Sequence, residues 1–193
     1  MPSRMERFTY MEGEIYQYCM KHAKKNPFRH YLDYLYGMGE LSEEEKELYG
    51  GLGKDFLNLI EITDMTKVYK MPVLYSFYHK GDVRAEVTEE EVLACWKDFF
   101  DRNKNWRDFS DGITYEEYRN MSDKQHLTKA KTMPIRFLKE SGKGFFVEKE
   151  GYALAVREDL RHVIKSSAFR MHMKDILDYR TMDYYRRRYR ESL

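Results

Sequence analysis

A short stretch around residue 150 restricts the fold of this sequence more than any other. Phe145–Glu148 and Tyr152–Val156 are rich in aromatic and aliphatic side chains, and the turn-forming pair Glu150-Gly151 lies between them. This pattern predicts two antiparallel strands joined by a turn, that is, a β-hairpin. The fold class then depends on the elements that precede the hairpin.

Four elements are predicted upstream of the hairpin. Lys70–Tyr78 reads as a short buried helix, and Val83–Val87 alternates like a short strand. Thr88 is a good N-cap, so a helix is expected after it, and a second helical stretch is expected after Ser122. The order helix, strand, helix, helix, hairpin is that of a winged-helix unit, a helix-turn-helix variant whose hairpin is the wing. A small α+β core without a ligand has the same order, and both interpretations stay open.

Three further hydroxyl residues predict helix starts near the end of the chain. Thr132 is expected to cap a short helix with Pro134 in its first turn and Phe137 facing inward. Ser167 is expected to cap a C-terminal helix, and Thr181 a last one. The helical stretches would therefore be short, with breaks at these residues.

The expected fold class is mainly α with a small β-hairpin, built as a helical subdomain plus a winged-helix-like unit. Residues 1–65 would form the N-terminal helical subdomain, residues 66–160 the winged-helix-like unit, and residues 161–193 the C-terminal helices. In the first of these, an apolar helical stripe runs from Ile15 to His22.

The composition narrows the class of protein. Hydrophobic residues make up 42% of the chain and charged residues 35%, which predicts a folded core under a charged surface. The net charge of +1 provides no global attraction to nucleic acid or membrane, so any attraction has to come from local clusters. Cys19 and Cys95 lack metal or redox spacing, and no apolar run is long enough to span a membrane. We expect a soluble, cytoplasmic protein without a metal or a cofactor.

Basic residues cluster before and within the hairpin, with a local balance of +3 over residues 122–141. In a winged helix, the helix before the hairpin enters the major groove and the wing touches the backbone, so basic side chains there would neutralise phosphates. The expected phosphate contacts are Lys129, Lys131, Arg136, Lys139, Lys143 and Lys149. An ordinary solvated helix face has the same charge pattern, and this alternative stays open.

The C-terminus is a second basic cluster. Arg186, Arg187 and Arg188 follow two tyrosines, a mixture that suits stacking on bases and forked contact with phosphates. The same arginines could instead offset the negative end of a helix dipole or dock on an acidic partner surface. The sequence alone does not choose among these three roles.

Catalytic motifs are incomplete throughout the chain. Gly50–Asp55 resembles a phosphate-binding loop, but Asp55 replaces the hydroxyl residue that would hold magnesium. His172 and Lys174 followed by Asp178 resemble the His-x-Lys…Asp element of phospholipase-D-type nucleases, but the Asp comes one residue too early. We therefore expect no catalytic residue in this chain and no enzymatic activity, with a nuclease as the least favoured alternative.

Four stretches carry a family resemblance: Arg4–Met11, Met65–Leu74, Met133–Leu138 running into Gly144–Phe146, and Asp178–Tyr189. They resemble the C-terminal region of large bacterial superfamily 2 DEAD/DEAH-box helicases of the restriction-enzyme type. The resemblance runs across most of the chain but includes no catalytic signature. The Walker A loop, the Asp-Glu-x-Asp/His box and the motif VI arginines of that family's motor domains have no counterpart in this sequence.

The resemblance implies a tail module of a helicase or translocase from a restriction or defence system, either as a fragment or as a freestanding relative. The expected function is non-catalytic binding of nucleic acid, with duplex DNA as the expected form and the helicase motor domains, in cis or in trans, as the other partner. The alternative is a protein–protein interaction module that docks on motor domains or dimerises through Tyr- and Met-rich faces.

Overall fold

The computed structural model describes residues 26–142 and 144–190, without the side chains of Tyr189 and Arg190. This part of the chain is mainly helical, with two small antiparallel sheets. Its nine α-helices are α1 Tyr31–Met38, α2 Glu43–Tyr49, α3 Leu52–Ile62, α4 Lys70–Phe77, α5 Glu89–Asp101, α6 Tyr115–Arg119, α7 Asp123–Ala130, α8 Arg136–Ser141 and α9 Ser167–Arg190. Its five strands are β1 Tyr78–His79, β2 Asp82–Val83, β3 Glu86–Val87, β4 Phe146–Val147 and β5 Leu154–Val156. The apolar stripe predicted from Ile15 to His22 lies outside the described residues.

The chain divides into two compact units. Among the described residues, unit 1 combines 26–63 with 162–190, and unit 2 is residues 64–161. The N-terminal and C-terminal helices, which the sequence separates as residues 1–65 and 161–193, therefore belong to one unit. The physical reason is that α9 packs directly on α2 and α3.

Unit 1 is held by an apolar core between α9 and the preceding helices. Phe169, Met173 and Leu177 on α9 are all buried, as the apolar periodicity predicts, and Phe169 stacks on Phe56 of α3 with ring centroids 5.9 Å apart. Burying each such side chain contributes about 1.5–3 kcal/mol. The core therefore depends on a continuous α9.

The predicted break at Thr181 is wrong, because α9 runs without interruption for 24 residues. Tertiary packing on both sides of Thr181 decides this, since Tyr179 and Asp183 are each buried in helical geometry. The residue that caps α9 also lies one position before the predicted cap, Ser167. Ser166, rather than Ser167, accepts a hydrogen bond from the Phe169 amide at 3.0 Å.

A buried arginine closes the end of α3. Arg180 is 2% exposed, and its guanidinium donates hydrogen bonds to the carbonyl oxygens of Glu61 and Thr63, the latter at 2.6 Å. The last carbonyls of a helix have no partner within the helix, so Arg180 satisfies acceptors that would otherwise be buried alone. Burial lowers the pKa of this guanidinium to about 10, so it stays charged at neutral pH.

Unit 2 is built around an aromatic cluster on α5. Trp96 and Phe100 are fully buried with ring centroids 4.9 Å apart, and Phe109 packs edge-on against Phe100 at 5.3 Å. Thr88 begins α5 with a capping box, in which its side chain accepts from the Glu91 amide, as its sequence position predicts. The helices α4 and α7 pack against α5. The aromatic cluster thus fixes the position of α7.

The three-stranded sheet of unit 2 has the order β3–β5–β4, with both pairings antiparallel. The predicted hairpin is confirmed as β4 and β5, with Phe146 opposite Val156, although both strands are shorter than the sequence indicates. The single strand predicted for Val83–Val87 is wrong. Its first part, β2, turns back onto β1 through Gly81 at φ +89°, and only β3 joins the larger sheet.

A glycine allows the chain to pass from α8 to β4. A Cβ atom at Gly142 would lie 2.1 Å from the carbonyl oxygen of Leu138 and 2.8 Å from the ring of Phe146. Both neighbours belong to the core, so only glycine fits this junction. The close approach of the end of α8 to β4 therefore depends on Gly142.

We expect Arg180→Ala to lower the free energy of unfolding of unit 1 by about 3 kcal/mol, because it leaves buried carbonyls without a charged donor. Arg188→Ala, an exposed position on the same helix, should change it by less than about 0.5 kcal/mol. Urea denaturation followed by circular dichroism measures both. Equal effects of the two substitutions would contradict the capping role of Arg180.

Candidate nucleic-acid interface

The helical segment before the hairpin is the centre of the candidate site. Ser122 starts it with a capping box, accepting from the Gln125 amide while the Gln125 side chain accepts from the Ser122 amide. His126, Ala130 and Leu138 are buried along one side. We call residues 123–141 the long helical segment; its other side faces solvent.

The break predicted at Thr132 is absent, because the long helical segment continues through Pro134 as a π-helical turn, Lys131–Ile135. The Thr132 hydroxyl donates to the Thr128 carbonyl at 2.8 Å instead of capping a new helix. The wider turn accommodates the proline within the helix, where its missing N–H would otherwise interrupt the hydrogen bonds. This turn also shifts the register of the residues after it, and Phe137 is 40% exposed rather than inward.

Two basic residues on the exposed face of the long helical segment lie beside carboxylates. The Lys131 ammonium is 2.5 Å from a carboxylate oxygen of Glu89, at the start of α5. Arg136 is 3.8 Å from Glu140, one helical turn away. All four side chains remain substantially exposed, so each ion pair contributes about 0–1 kcal/mol and can exchange with another anion.

The basic residues of the hairpin region are also paired. Lys139 lies 2.5 Å from Glu148, and Lys149 lies 2.5 Å from Glu86 of β3. Arg161 contacts the same Glu86 carboxylate. The remaining predicted contact, Lys143, lies outside the described residues. Positive charge on this side of the hairpin is therefore largely balanced by carboxylates.

Lys124 and Lys129 differ from the other lysines of the long helical segment. Lys124 is exposed, and none of the ion pairs between described residues involves it. The Lys129 ammonium donates to the Ser110 hydroxyl at 2.7 Å and lies 4.6 Å from the centre of the Phe109 ring. Burial lowers the pKa of Lys129, and the neighbouring Lys67 lowers it further. An anion beside Lys129 would therefore stabilise the charged form of its ammonium.

A surface groove of about 400 Å³ runs past these two lysines. It is also lined by Gln125, Thr128 and Thr132. The Gln125 oxygen accepts from Ser122 and the Thr132 hydroxyl donates to the Thr128 carbonyl, which leaves the Gln125 amide NH2 as a donor, the Thr132 oxygen as an acceptor and the Thr128 hydroxyl as either. Sequence reasoning missed this groove, because the polar residues are ordinary until the helix aligns them. Their spacing of three to four residues is the signal that could have indicated it.

The C-terminal arginines lie in unit 1 and serve its packing. Arg186 and Arg187 reach the buried carboxylate of Asp183 at 3.0 and 2.8 Å, and Arg29 reaches it at 3.5 Å. Arg188 is exposed. Arg186, Arg187 and Arg188 were predicted to form a second phosphate-contacting patch. Two of them, Arg186 and Arg187, instead pair with Asp183 in the same unit.

The residues of the nuclease-like pattern also have structural partners. His172 is buried, and its Nε2 lies 2.7 Å from the carboxylate of Glu45, while Lys174 pairs with Asp178. Within residues 26–142 and 144–190, no three His, Cys, Asp or Glu side chains are grouped so that they could hold a metal ion. Among the same residues, every helix falls short of the length or apolarity that a membrane crossing needs.

No protein-family model, curated protein or solved structure matches this chain.

The Glu45–His172 contact predicts an acid-sensitive unit 1. Burial raises the pKa of Glu45, but hydrogen bonds from the Ser42 amide and His172 outweigh burial and hold it below its ordinary value of 4.5. A carboxyl with a lowered pKa stabilises the fold above its ordinary pKa, and this contribution disappears as pH falls through the lowered value. Glu45→Gln should therefore unfold more easily at neutral pH and show a flatter loss of stability below about pH 5.

Thermal denaturation between neutral and acidic pH measures this effect, with Glu47→Gln, an exposed position on the same helix, as the matched control. A Glu45→Gln variant with the pH profile of the unsubstituted protein would contradict the stabilising role of the Glu45 carboxylate.

Proposed function

We propose that unit 2 is a winged-helix-like, non-catalytic nucleic-acid-binding module. The observation that carries this proposal is the exposed polar groove on the long helical segment, directly before a hairpin whose second strand pairs with β3. The resemblance of the sequence to helicase C-terminal regions supports an accessory role beside the motor of a restriction-type or defence helicase or translocase. Duplex DNA is the proposed ligand.

The order of elements supports this proposal. Apart from the small β1–β2 pair and the short helix α6, helix α4 is followed by β3, α5, the long helical segment and the β4–β5 hairpin, and the sheet order is β3–β5–β4. In a winged-helix unit, the helix in the place of the long helical segment enters the major groove. Its exposed face here would present the groove to DNA, with the hairpin turn beside the backbone.

The chemistry of the groove supports the same ligand. Phosphate oxygens accept hydrogen bonds from lysine, hydroxyl and amide groups, and base edges in the major groove both donate and accept. Lys124 and Lys129 provide positive charge, and Gln125, Thr128 and Thr132 provide neutral donors and acceptors. We assign the main phosphate contacts to Lys124 and Lys129, followed by Lys131 and Arg136 once their weak ion pairs have opened.

The balanced charge sets the expected strength of binding. Unit 2 has as many Lys and Arg residues as Asp and Glu residues, so little long-range attraction guides the encounter. Lys139 and Lys149 would have to leave Glu148 and Glu86 before they could contact phosphates. We expect moderate affinity, with about four phosphate contacts and a slope of log K against log salt of about −3 to −4.

A second candidate function is docking on a protein, either the helicase motor domains or a second copy of this chain. Met133 and Phe137 are each 40% exposed and lie one turn apart on the long helical segment, and Tyr152 in the hairpin is 41% exposed. Methionine and aromatic residues are enriched in protein interfaces, where a mixed-charge rim is also common. This candidate uses the apolar side chains, whereas DNA binding uses the groove.

For DNA binding, Lys124→Ala combined with Lys131→Ala should weaken binding to a short duplex by about tenfold at low salt. Glu89→Gln, which leaves Lys131 without its carboxylate, should tighten binding by about two- to fivefold. Fluorescence anisotropy with a labelled duplex measures both. Lys80→Asn is the matched control, because Lys80 is exposed in the β1–β2 turn at φ +50°, a conformation that asparagine tolerates.

Duplex binding that is absent at low salt, or that none of these substitutions alters, would refute the proposal.

For protein docking, Met133→Ser combined with Phe137→Ser should abolish self-association or binding to purified motor domains and leave duplex affinity within about twofold. If DNA is the ligand, charge reversal at Lys131, Arg136 and Lys139 should weaken duplex binding and leave self-association and binding to motor domains unchanged. Sedimentation velocity and duplex anisotropy, measured on the same variants, separate the two functions. An unchanged association state together with lost DNA binding in the Met133/Phe137 variant would count against docking.

A further inference from the structure

The segment between α5 and α7 contains an aromatic pair bordered by arginines. The rings of Trp106 and Tyr115 lie 5.3 Å apart at 48°, and Tyr115 is 52% exposed. The Arg107 guanidinium is 5.6 Å from the Trp106 ring, and the Arg119 guanidinium is 5.7 Å from the Tyr115 ring. We call these four residues the aromatic–arginine patch.

The patch is held in place by the core of unit 2. The buried Asn105 side chain donates to the Phe99 carbonyl at 2.8 Å, which fixes the chain immediately before Trp106. On the other side, the Tyr118 hydroxyl donates to Asp101 at 2.8 Å, and this contact anchors the short helix α6. A ligand would therefore meet a surface that is largely ordered before binding.

The backbone before the patch is in an unusual conformation. Asn103 and Lys104 both have positive φ, +50° and +64°, in the region that favours glycine. Two consecutive non-glycine residues in this region cost free energy, and such positions are concentrated where a loop serves a ligand. Lys104 is exposed and directly precedes the turn Asn105–Asp108, which carries Trp106 and Arg107.

The cations of the patch differ from those of the long helical segment. None of the ion pairs between described side chains involves Arg107 or Arg119, whereas Lys131 has Glu89 beside it. Of the two acidic residues on α6, Glu117 is occupied by the Thr114 amide and hydroxyl. Glu116 is the other, and it is exposed. The arginines are thus available to an anion, although both α6 carboxylates stay charged and oppose it, since the hydrogen bonds to Glu117 come from neutral groups.

We infer that the aromatic–arginine patch binds single-stranded nucleic acid. An unpaired base stacks on the exposed ring of Tyr115, and Arg107 and Arg119 contact the phosphates on either side. Stacking on an aromatic ring needs an unstacked base, which a single strand offers and a duplex interior does not. Guanidinium groups match phosphate oxygens in forked geometry, and they can also stack on bases. This surface is separate from the groove and does not depend on duplex binding.

The test uses the full chain and two labelled oligonucleotides of equal length, oligo(dT) and its abasic counterpart, in fluorescence anisotropy. Tyr115→Ala should weaken oligo(dT) binding by about tenfold, and Arg119→Ala by several-fold, while Tyr115→Phe keeps the ring and the affinity. Glu116→Gln should tighten binding, because it removes one of the two opposing carboxylates on α6. The abasic strand should bind more weakly and be insensitive to Tyr115→Ala.

Tryptophan fluorescence gives an independent readout. The chain has two tryptophans, and Trp96 is fully buried, so quenching by oligo(dT) reports mainly on Trp106 beside the patch. Quenching by oligo(dT) but not by the abasic strand supports stacking. Equal binding of the two strands, or Tyr115→Ala binding like the unsubstituted protein, overturns the inference.

Binding of a protein to the patch, weakened by Glu116→Gln, would also overturn the inference that the patch binds single-stranded nucleic acid. Loss of duplex binding in the Lys124/Lys131 variant with oligo(dT) binding retained would separate this surface from the groove.

Discussion

Strand β5 pairs with β3 on one side and with β4 on the other, and the architecture of unit 2 depends on this double pairing. Because β3 precedes α5 and β4 follows α8, the pairing closes all the intervening helices into one body. Closing so long a loop costs conformational entropy, which the aromatic core around Trp96 offsets. The long helical segment thereby acquires one buried side and one exposed side, and the groove lies on the exposed side.

The same closure determines the electrostatics. It brings Glu89, at the start of α5, to Lys131, and Glu86 of β3 to Lys149. Cations that are clustered in the sequence are therefore partly balanced by carboxylates that are distant in the sequence. The unit presents two different kinds of surface as a result. The groove offers hydrogen bonds with limited charge, and the aromatic–arginine patch offers exposed rings with arginines outside the ion pairs between described residues.

Local patterns predicted much of this fold. The hairpin, the helix α4, the cap at Thr88 and the helix after Ser122 all follow from residues within a few positions of one another, and the structure contains them. The breaks expected at Thr132 and Thr181 were wrong because a threonine can lie inside a helix as well as cap one. The Thr132 hydroxyl bonds back to the Thr128 carbonyl, and Thr181 lies between the buried residues Tyr179 and Asp183. Packing against distant residues, which local sequence does not show, keeps both helices continuous.

The candidate site was less predictable than the fold. Its basic residues could be found from the sequence, but their pairing could not, because each carboxylate partner other than Glu140 is set by tertiary contact. The same holds for the C-terminal arginines, since Asp183 gathers Arg186 and Arg187 only once α9 is continuous. The Trp106–Tyr115 contact likewise depends on how the segment between α5 and α7 folds back on itself.

DNA contact with the exposed face of the long helical segment can be mapped by titrating an isotopically labelled sample with a short duplex at low salt and following the backbone amides by two-dimensional NMR. If DNA binds this face, the shifted amides are concentrated between residues 124 and 137, with a smaller set in the turn between β4 and β5. Shifts confined to residues 162–190, or no shifts at saturating duplex, would show that this face does not bind DNA.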